Sequence, residues 1–284
     1  MYCRFEKIKE NFVSEYTKGR TPNPCIICNE QVKFKYLYDF AMENGFDLIA
    51  TGHYARIESV DTCGEKRYAC AFPEDMKKEQ TYMLYRLPQN ILSRLILPLS
   101  EGKKTDLRAI AKDAGISAAE RDDSQEICFL PDGNYAEYIE SKSGKCPEGD
   151  FVDENGKILG KHKGIIHYTV GQRKGLGISL GYRAFVTNID PETGRITLSE
   201  TGGGKTEIFI NNIVYSGMQP PKEEKTMDLD VKLRYTAPLV KTKATFYPDG
   251  SAKLVFDLPQ KSAPGQSAVM YLQGRVMCGG FIEG

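Results

Sequence analysis

The 284-residue chain is predicted to fold as an α/β unit followed by two small β-rich modules. Three observations carry that reading. Apolar residues recur at helical spacing up to residue 44 and give way to a short apolar run ending at a glycine, the helix-then-strand order of an α/β layer. Beyond Asp150 the pattern becomes short alternating runs broken by Gly, Asn and Asp. Between two of those runs stands Pro248-Asp249-Gly250-Ser251, a strong hairpin signal.

In chain order, Phe5, Ile8, Phe12, Val13 and Tyr16 predict a helix over 5–18, closed by Gly19 as its C′ residue. Phe34, Leu37, Phe40 and Ala41 predict a second over 31–44, stopping at Gly45. Asp47–Thr51 reads as a short buried strand running into Gly52-His53, and ligands of α/β layers collect at such strand ends. Tyr54–Ile57 and Arg67–Phe72 pair as a hairpin across Asp61–Glu65. Leu107, Ile110, Ala111 and Ala114 predict an amphipathic helix over 103–114. The loop carrying Cys128 follows and is expected to enter a short buried strand. Tyr135, Tyr138 and Ile139 suggest one more short helix, and Lys142–Gly149 reads as a linker. The division expected is 1–134, 135–204 and 205–284.

No run of about 20 apolar residues occurs, and the chain does not start with a basic segment followed by an apolar one. A soluble, unexported, cytoplasmic protein with no membrane partner is expected. Formal net charge is zero, yet Asn155–Ile189 holds no Asp or Glu while Lys157, Lys161, Lys163, Arg173, Lys174 and Arg183 fall inside it. Such a one-signed stretch makes a local basic face, and Lys and Arg contacts to phosphate dominate nucleic-acid affinity. Gly202-Gly203-Gly204-Lys205-Thr206 is not an ATP-type phosphate loop, because Ser199 stands where its first glycine is required and the context is β.

Chemistry concentrates in Gly19-Arg20-Thr21-Pro22-Asn23-Pro24-Cys25-Ile26-Ile27-Cys28-Asn29. Each Pro fixes its own φ and pushes the preceding residue towards extended geometry, so the loop is stiff, and Cys25 and Cys28 are expected on one side of a tight turn. Eight cysteines without a secretory signal are not a disulfide scaffold. A zinc site needs a second close pair, which Cys63, Cys70, Cys146 and Cys278 do not form, and the context of a thioredoxin-like dithiol is missing. Sulfur transfer or iron–sulfur chemistry with a distant third cysteine remains. The candidate is Cys128, in Asp123-Ser124-Gln125-Glu126-Ile127-Cys128-Phe129.

These two segments, with Val32-Lys33-Phe34-Lys35, Ala50-Thr51-Gly52-His53-Tyr54-Ala55-Arg56, Tyr168-Thr169-Val170-Gly171-Gln172-Arg173-Lys174-Gly175-Leu176-Gly177-Ile178 and Pro264-Gly265-Gln266-Ser267-Ala268-Val269, resemble the bacterial tRNA-specific 2-thiouridylases in order and over nearly the whole chain. The resemblance implies an α/β remnant of a PP-loop ATP-pyrophosphatase domain, adenine nucleotide alpha hydrolase-like, followed by two small β-rich domains, the last a β-barrel. The family's Ser-Gly-Gly-Val-Asp-Ser nucleotide loop occurs nowhere in the sequence. The chain therefore reads as a fragment, a truncated product or one half of a split enzyme, not expected to activate anything with ATP by itself.

The resemblance further implies replacement of oxygen by sulfur at carbon 2 of the wobble uridine in Lys, Glu and Gln tRNAs, by a chain acting as a monomer. ATP, with Mg, adenylates that oxygen, a very poor leaving group otherwise. Cys128 then carries a persulfide supplied by a cysteine desulfurase or sulfur relay protein, while Cys28 releases the sulfur or closes a disulfide. Asn23, Pro24 and Cys25 match the segment lying against the flipped-out base, Gly52 the ATP site, and His53 a tRNA-contacting residue near the target base. Lys78, Glu79 and Gln80 match another tRNA-contacting segment, with Glu79 replacing the usual Asp; Arg234, Tyr235 and Gln266 are also implied to reach the tRNA. With Cys25 present, Cys25, Cys28 and Cys128 could instead hold a 4Fe–4S cluster with one open iron. A non-catalytic tRNA-binding fragment and a thiol sulfur-carrier protein are the readings from other classes.

Overall fold

The computed structural model describes residues 2–62, 64–117, 127–130 and 133–284, so Cys63 and the Asp122–Glu126 part of the Cys128 loop lie outside the described residues. Helix α1 (Tyr2–Thr17) buries Ile8, Phe12 and Tyr16, four residues apart, and ends at Gly19 with φ +68°. Its Phe12 and Tyr16 enter the core formed with Phe151, Val186, Ile196 and Leu198 of the central module.

After the Pro-Asn-Pro turn the chain forms one continuous helical segment in three parts. These are α2 (Pro24–Cys28), a π-helical stretch over Asn29–Lys33 and α3 (Phe34–Glu43), closed by Gly45 at φ +74°. Pro24 suits the first helical position, where its missing N–H leaves no partner unsatisfied. Cys25 and Cys28 therefore sit on a helix instead of the expected turn, one turn apart along one side.

β1 (Ile49–Ala50) pairs in parallel with β4 (Leu95–Ile96), while the hairpin β2 (Arg56–Thr62) and β3 (Glu65–Ala71) forms in the predicted place. Short helices α4 (Thr81–Leu84) and α5 (Gln89–Leu92) follow the hairpin and bury Tyr82, Leu84, Ile91 and Leu92. Phe40, Phe46, Leu48 and Ile96 stay exposed around the small parallel sheet. Helix α6 (Lys104–Asp113) forms where its spacing predicts but buries none of its residues; Ile110 is 64% exposed. The strand expected after Cys128 does not form: Cys128 and Phe129 make a turn in which the Leu130 N–H donates to the Ile127 carbonyl at 2.8 Å.

Helix α7 (Tyr135–Ser143) leads into a four-stranded sheet of β5 (Gly149–Val152), β6 (Ile158–His162), β7 (Phe185–Asp190) and β8 (Arg195–Ser199), in spatial order β6-β5-β8-β7. Strands β9 (Lys205–Tyr215), β10 (Lys225–Lys232), β11 (Val240–Phe246), β12 (Ala252–Gln260), β13 (Ser267–Leu272) and β14 (Arg275–Ile282) run in order β13-β10-β11-β12-β9-β14. Pairing of β13 with β14 closes them into a six-stranded barrel, to which β3 adds through β14. Inward residues recur every second position, such as Leu229 and Val231, Ala244 and Phe246, and Leu254 and Phe256, as a strand's period of two requires. Gly250, at φ +85°, completes the predicted β11–β12 turn, where Asp249 Oδ1 accepts from the Ser251 N–H at 2.9 Å. On the other side of β13 and β14, Val269, Tyr271 and Val276 pack among Tyr82, Tyr85 and Leu87, joining the barrel to the first unit.

Candidate active site at the cysteine loop

All three parts of the chain hold the loop that enters α2. A Cβ on Gly19 would stand 2.9 Å from Ile189 Cγ2 of the central module, so only glycine allows that approach. Arg20 Nε donates to Glu15 Oε2 at 2.7 Å, tying the loop to α1. The Thr21 N–H donates to the Pro264 carbonyl at 2.7 Å, and Gln266 Nε2 donates to the Thr21 carbonyl at 2.8 Å. Asn23 Nδ2 lies 3.6 Å from Met83 Sδ, and the buried Asn29 donates to the Met83 carbonyl at 3.0 Å. Asn23 also borders a cavity of about 380 Å³ shared with Asn11, Arg20, Arg86 and Phe281.

Cys25 is exposed, Cys28 half-buried and Cys128 exposed. Partial desolvation pushes the Cys25 thiol up, and negative charge on Cys128 and then Cys28 adds to it. Burial also raises Cys28, followed by charge on Cys128. Lys33 opposes both effects: its ammonium favours each thiolate, and its backbone N–H also favours that of Cys28. The three thiols thus share one electrostatic site although Cys128 is 100 residues from Cys28 in sequence.

Neighbouring aromatics hold the Cys128 turn. Phe129 packs edge-on against Phe12 at 5.4 Å and Phe5 at 6.1 Å, and against Tyr138 at 5.6 Å. Among the described residues, no group of three His, Cys, Asp or Glu stands close enough to hold a metal ion. As placed, the three thiols do not fit the cluster alternative.

Gly52 and His53 lie just beyond the carboxyl end of β1, Gly52 exposed and His53 half-buried. His53 Nδ1 is 2.8 Å from Thr51 Oγ1, and its ring stands 5.3 Å from that of Phe34. Burial first, and then the positive charge of Lys33, lower its pKa to about 4. At neutral pH it is an uncharged hydrogen-bonding group, unsuited to pairing with phosphate as a cation.

Other expected contacts separate. Glu79, expected at a tRNA-contacting segment, is only 4% exposed. It accepts from Lys232 Nζ at 2.5 Å and from Thr81, because a carboxylate buried between the first unit and the barrel needs a cation and donors. Tyr235 donates to the Glu79 carbonyl at 3.1 Å, and Gln80 Oε1 accepts from the Tyr54 N–H at 2.9 Å. Lys78 is half-buried, Arg234 exposed, and Gln266 turned onto Thr21. Lys157, Lys161, Lys163, Arg173, Lys174 and Arg183 are all exposed, with Lys161 paired to Asp150 at 2.7 Å. Sequence reasoning gave Lys33 no role; its signal was a cation eight residues after Cys25 and five after Cys28, and the π-helical turn makes that spacing count.

Three family models together match nearly the whole chain: a tRNA methyl transferase HUP domain over residues 4–132, a tRNA methyl transferase PRC-barrel domain over 136–200 and an aminomethyltransferase beta-barrel domain over 205–282. The chain is 42% identical over 281 residues to the tRNA-specific 2-thiouridylase MnmA of Clostridium botulinum strain Alaska E43, covering 98% of this chain and 76% of that protein. It is 42% identical to that of Clostridium acetobutylicum (98% and 77% covered) and 41% identical to that of Treponema denticola (98% and 78%). The domain order and these identities agree, and the chain belongs to the MnmA/TrmU family of tRNA-specific 2-thiouridylases.

Proposed function

We propose that this chain carries out the sulfur-transfer half of tRNA wobble-uridine 2-thiolation, with Cys128 as sulfur carrier and Cys28 as releasing thiol. The observation that supports it most is that Cys128 interacts electrostatically with both Cys25 and Cys28, which also feel Lys33. The uridine O2 is first adenylated with ATP and Mg, at a site to which Gly52 contributes, which makes AMP the leaving group. The terminal sulfur of a Cys128 persulfide attacks carbon 2; a C–S bond forms, and AMP leaves with the oxygen and its electron pair. The Cys28 thiolate then attacks Cys128 Sγ, the persulfide S–S bond breaks towards the transferred sulfur, and a thiocarbonyl remains. The two cysteines end as a disulfide, which a thiol reductant resets before a cysteine desulfurase or relay protein restores the persulfide.

The exposed Cys128 turn suits delivery from a protein donor, whereas half-buried Cys28 is placed for a step inside the site. Asn23, Pro24 and Cys25 form the edge against which an extruded base rests, and neutral His53 supplies a hydrogen bond there. Extrusion costs a few kcal/mol and least in an anticodon loop. The exposed basic face of 155–189 and Arg234 hold the RNA, with Lys, Glu and Gln tRNAs as substrates. The folding units follow 1–134, 135–204 and 205–284.

Incubating the chain with a cysteine desulfurase and isotopically labelled cysteine, then mapping added sulfur by mass spectrometry, tests the carrier. The expected result is a persulfide on Cys128, lost in Cys128→Ser and retained in Cys28→Ser. With unmodified tRNA, ATP, Mg and an added nucleotide-loop domain that adenylates the uridine, Cys28→Ser should lower 2-thiouridine by on the order of a hundredfold or more. A Cys128→Ser chain that takes up sulfur and thiolates as well as the parent overturns the assignment.

A further inference from the structure

We propose that the seam between the central module and the barrel is a phosphate-binding subsite, built by Lys205, Arg234, Lys261 and the Gly202-Gly203 turn, that grips the sugar–phosphate backbone of a bound RNA. This rests on the tRNA reading above. The seam opens as a cleft of about 150 Å³, lined from one side by Val170, Gly171 and Thr187 and from the other by the start of β9 and the chain after β12. None of its lining residues is acidic, whereas three carry a positive charge.

Lys261 is placed, not merely nearby. Its ammonium stands 4.4 Å from the centroid of the Phe185 ring, at the first residue of β7, and the negative face of the ring favours the cation there. A Cβ on Gly202 would come within 2.9 Å of Lys261 Nζ, so the absence of a side chain at 202 leaves room for the ammonium. Gly202 and Gly203 both have positive φ, +77° and +60°, and a Cβ on Gly203 would be 2.8 Å from Thr187 Cγ2. Among the described residues, no hydrogen bond occupies the N–H of Gly202 or Gly203, although Gly202 is buried. Two N–H groups without acceptors beside three cations form an anion site in search of its anion.

The Gly202–Lys205 segment fails as an ATP-type phosphate loop because no helix follows it. Its chemistry of acceptor-free backbone N–H groups and a lysine is nonetheless suited to a single phosphate. The cleft continues the acid-free surface of 155–189, and Gln266, which holds the cysteine loop through Thr21, lies in its wall. A phosphate held here would therefore fix the RNA backbone relative to the loop where the base is presented.

Equilibrium binding of unmodified tRNA by the full chain, measured across a KCl series, tests the proposal. Loss of one phosphate contact should reduce the slope of log K against log salt by about 0.7–0.9. Lys261→Ala and Lys205→Ala are each expected to show that reduction with several-fold weaker binding, and Lys261→Arg to restore most of it. Lys241→Ala, an exposed lysine on β11 away from the cleft, should match the parent. Parallel calorimetry with inorganic pyrophosphate separates the sources of the phosphate. Pyrophosphate binding lost in Lys261→Ala while the tRNA slope stays unchanged assigns the cleft to a small phosphate ligand and overturns the RNA version. A parent chain that binds tRNA with a salt slope which neither lysine variant alters overturns the subsite alone. A parent chain with no salt-dependent tRNA binding overturns the functional reading together with it.

Discussion

At Cys28 two opposing influences set reactivity: burial and the neighbouring Cys128 favour the thiol, while the Lys33 ammonium and N–H favour the thiolate. The balance lies above the ordinary thiol value, so the thiol form is favoured at neutral pH. Site-resolved alkylation with iodoacetamide across pH measures the balance. Cys128→Ser should move the Cys28 midpoint down and speed alkylation at pH 8, whereas Lys33→Ala should move it up and slow alkylation, each by about two- to tenfold. Unchanged midpoints in both variants would place the three groups too far apart to interact. His53 obeys the same logic: burial and Lys33 keep it neutral down to about pH 4, so any contact it makes in the physiological range is a hydrogen bond and not an ion pair.

Among the elements, the helical segment from Pro24 to Glu43 and the turn Pro264-Gly265-Gln266 work as a pair. The π-helical stretch Asn29–Lys33 inserts an extra residue, and this rotates Lys33 to the thiols while Asn29 faces inward onto Met83. The barrel turn fixes the other end of the loop. Gly265 has φ +87°, and a Cβ there would stand 3.1 Å from the Thr21 N. Gly265→Ala is expected to destabilise the chain by about 1–3 kcal/mol, since it combines left-handed strain with a backbone contact that cannot yield. Gln266→Ala, which leaves the Thr21 carbonyl unpaired, should cost about 1 kcal/mol. Hydrogen exchange should quicken at residues 20–23 in Gln266→Ala while the barrel strands keep their protection. Equal exchange in that loop would mean that the barrel does not hold it.

For the whole molecule, the joint between the first unit and the barrel matters most. It combines the Tyr82, Tyr85 and Tyr271 packing with a buried ion pair, Glu79 to Lys232, reinforced by Thr81 and by the hydroxyl of Tyr235 on the Glu79 carbonyl. Glu79→Ala strands the Lys232 ammonium in a buried site and is expected to cost about 3–5 kcal/mol, read from the urea midpoint. The double variant Glu79→Ala with Lys232→Ala should recover part of that loss, because no uncompensated charge remains. A Glu79→Ala chain as stable as the parent would show that the pair is solvated. Arg86 makes a second such joint, donating to Glu30 at 2.9 Å and to the Asn212 carbonyl at 3.1 Å while lying over the Phe281 ring.

The amino-acid order alone determined the local periods and the chemical vocabulary. Helical spacing around Phe12 and Phe34, alternation along β10 to β12, the Pro248–Ser251 turn and the candidate thiols at 25, 28 and 128 are all legible without coordinates, because a period or a turn is set by neighbours within a few residues. Tertiary structure decided which side chain meets which. It turned Glu79 inward and gave Gln266 to a carbonyl 245 residues away. It laid α1 on the central module, left α6 unburied and made Cys128 part of an aromatic-held turn. Those outcomes depend on how distant surfaces fit once the elements exist, and no local spacing encodes that fit.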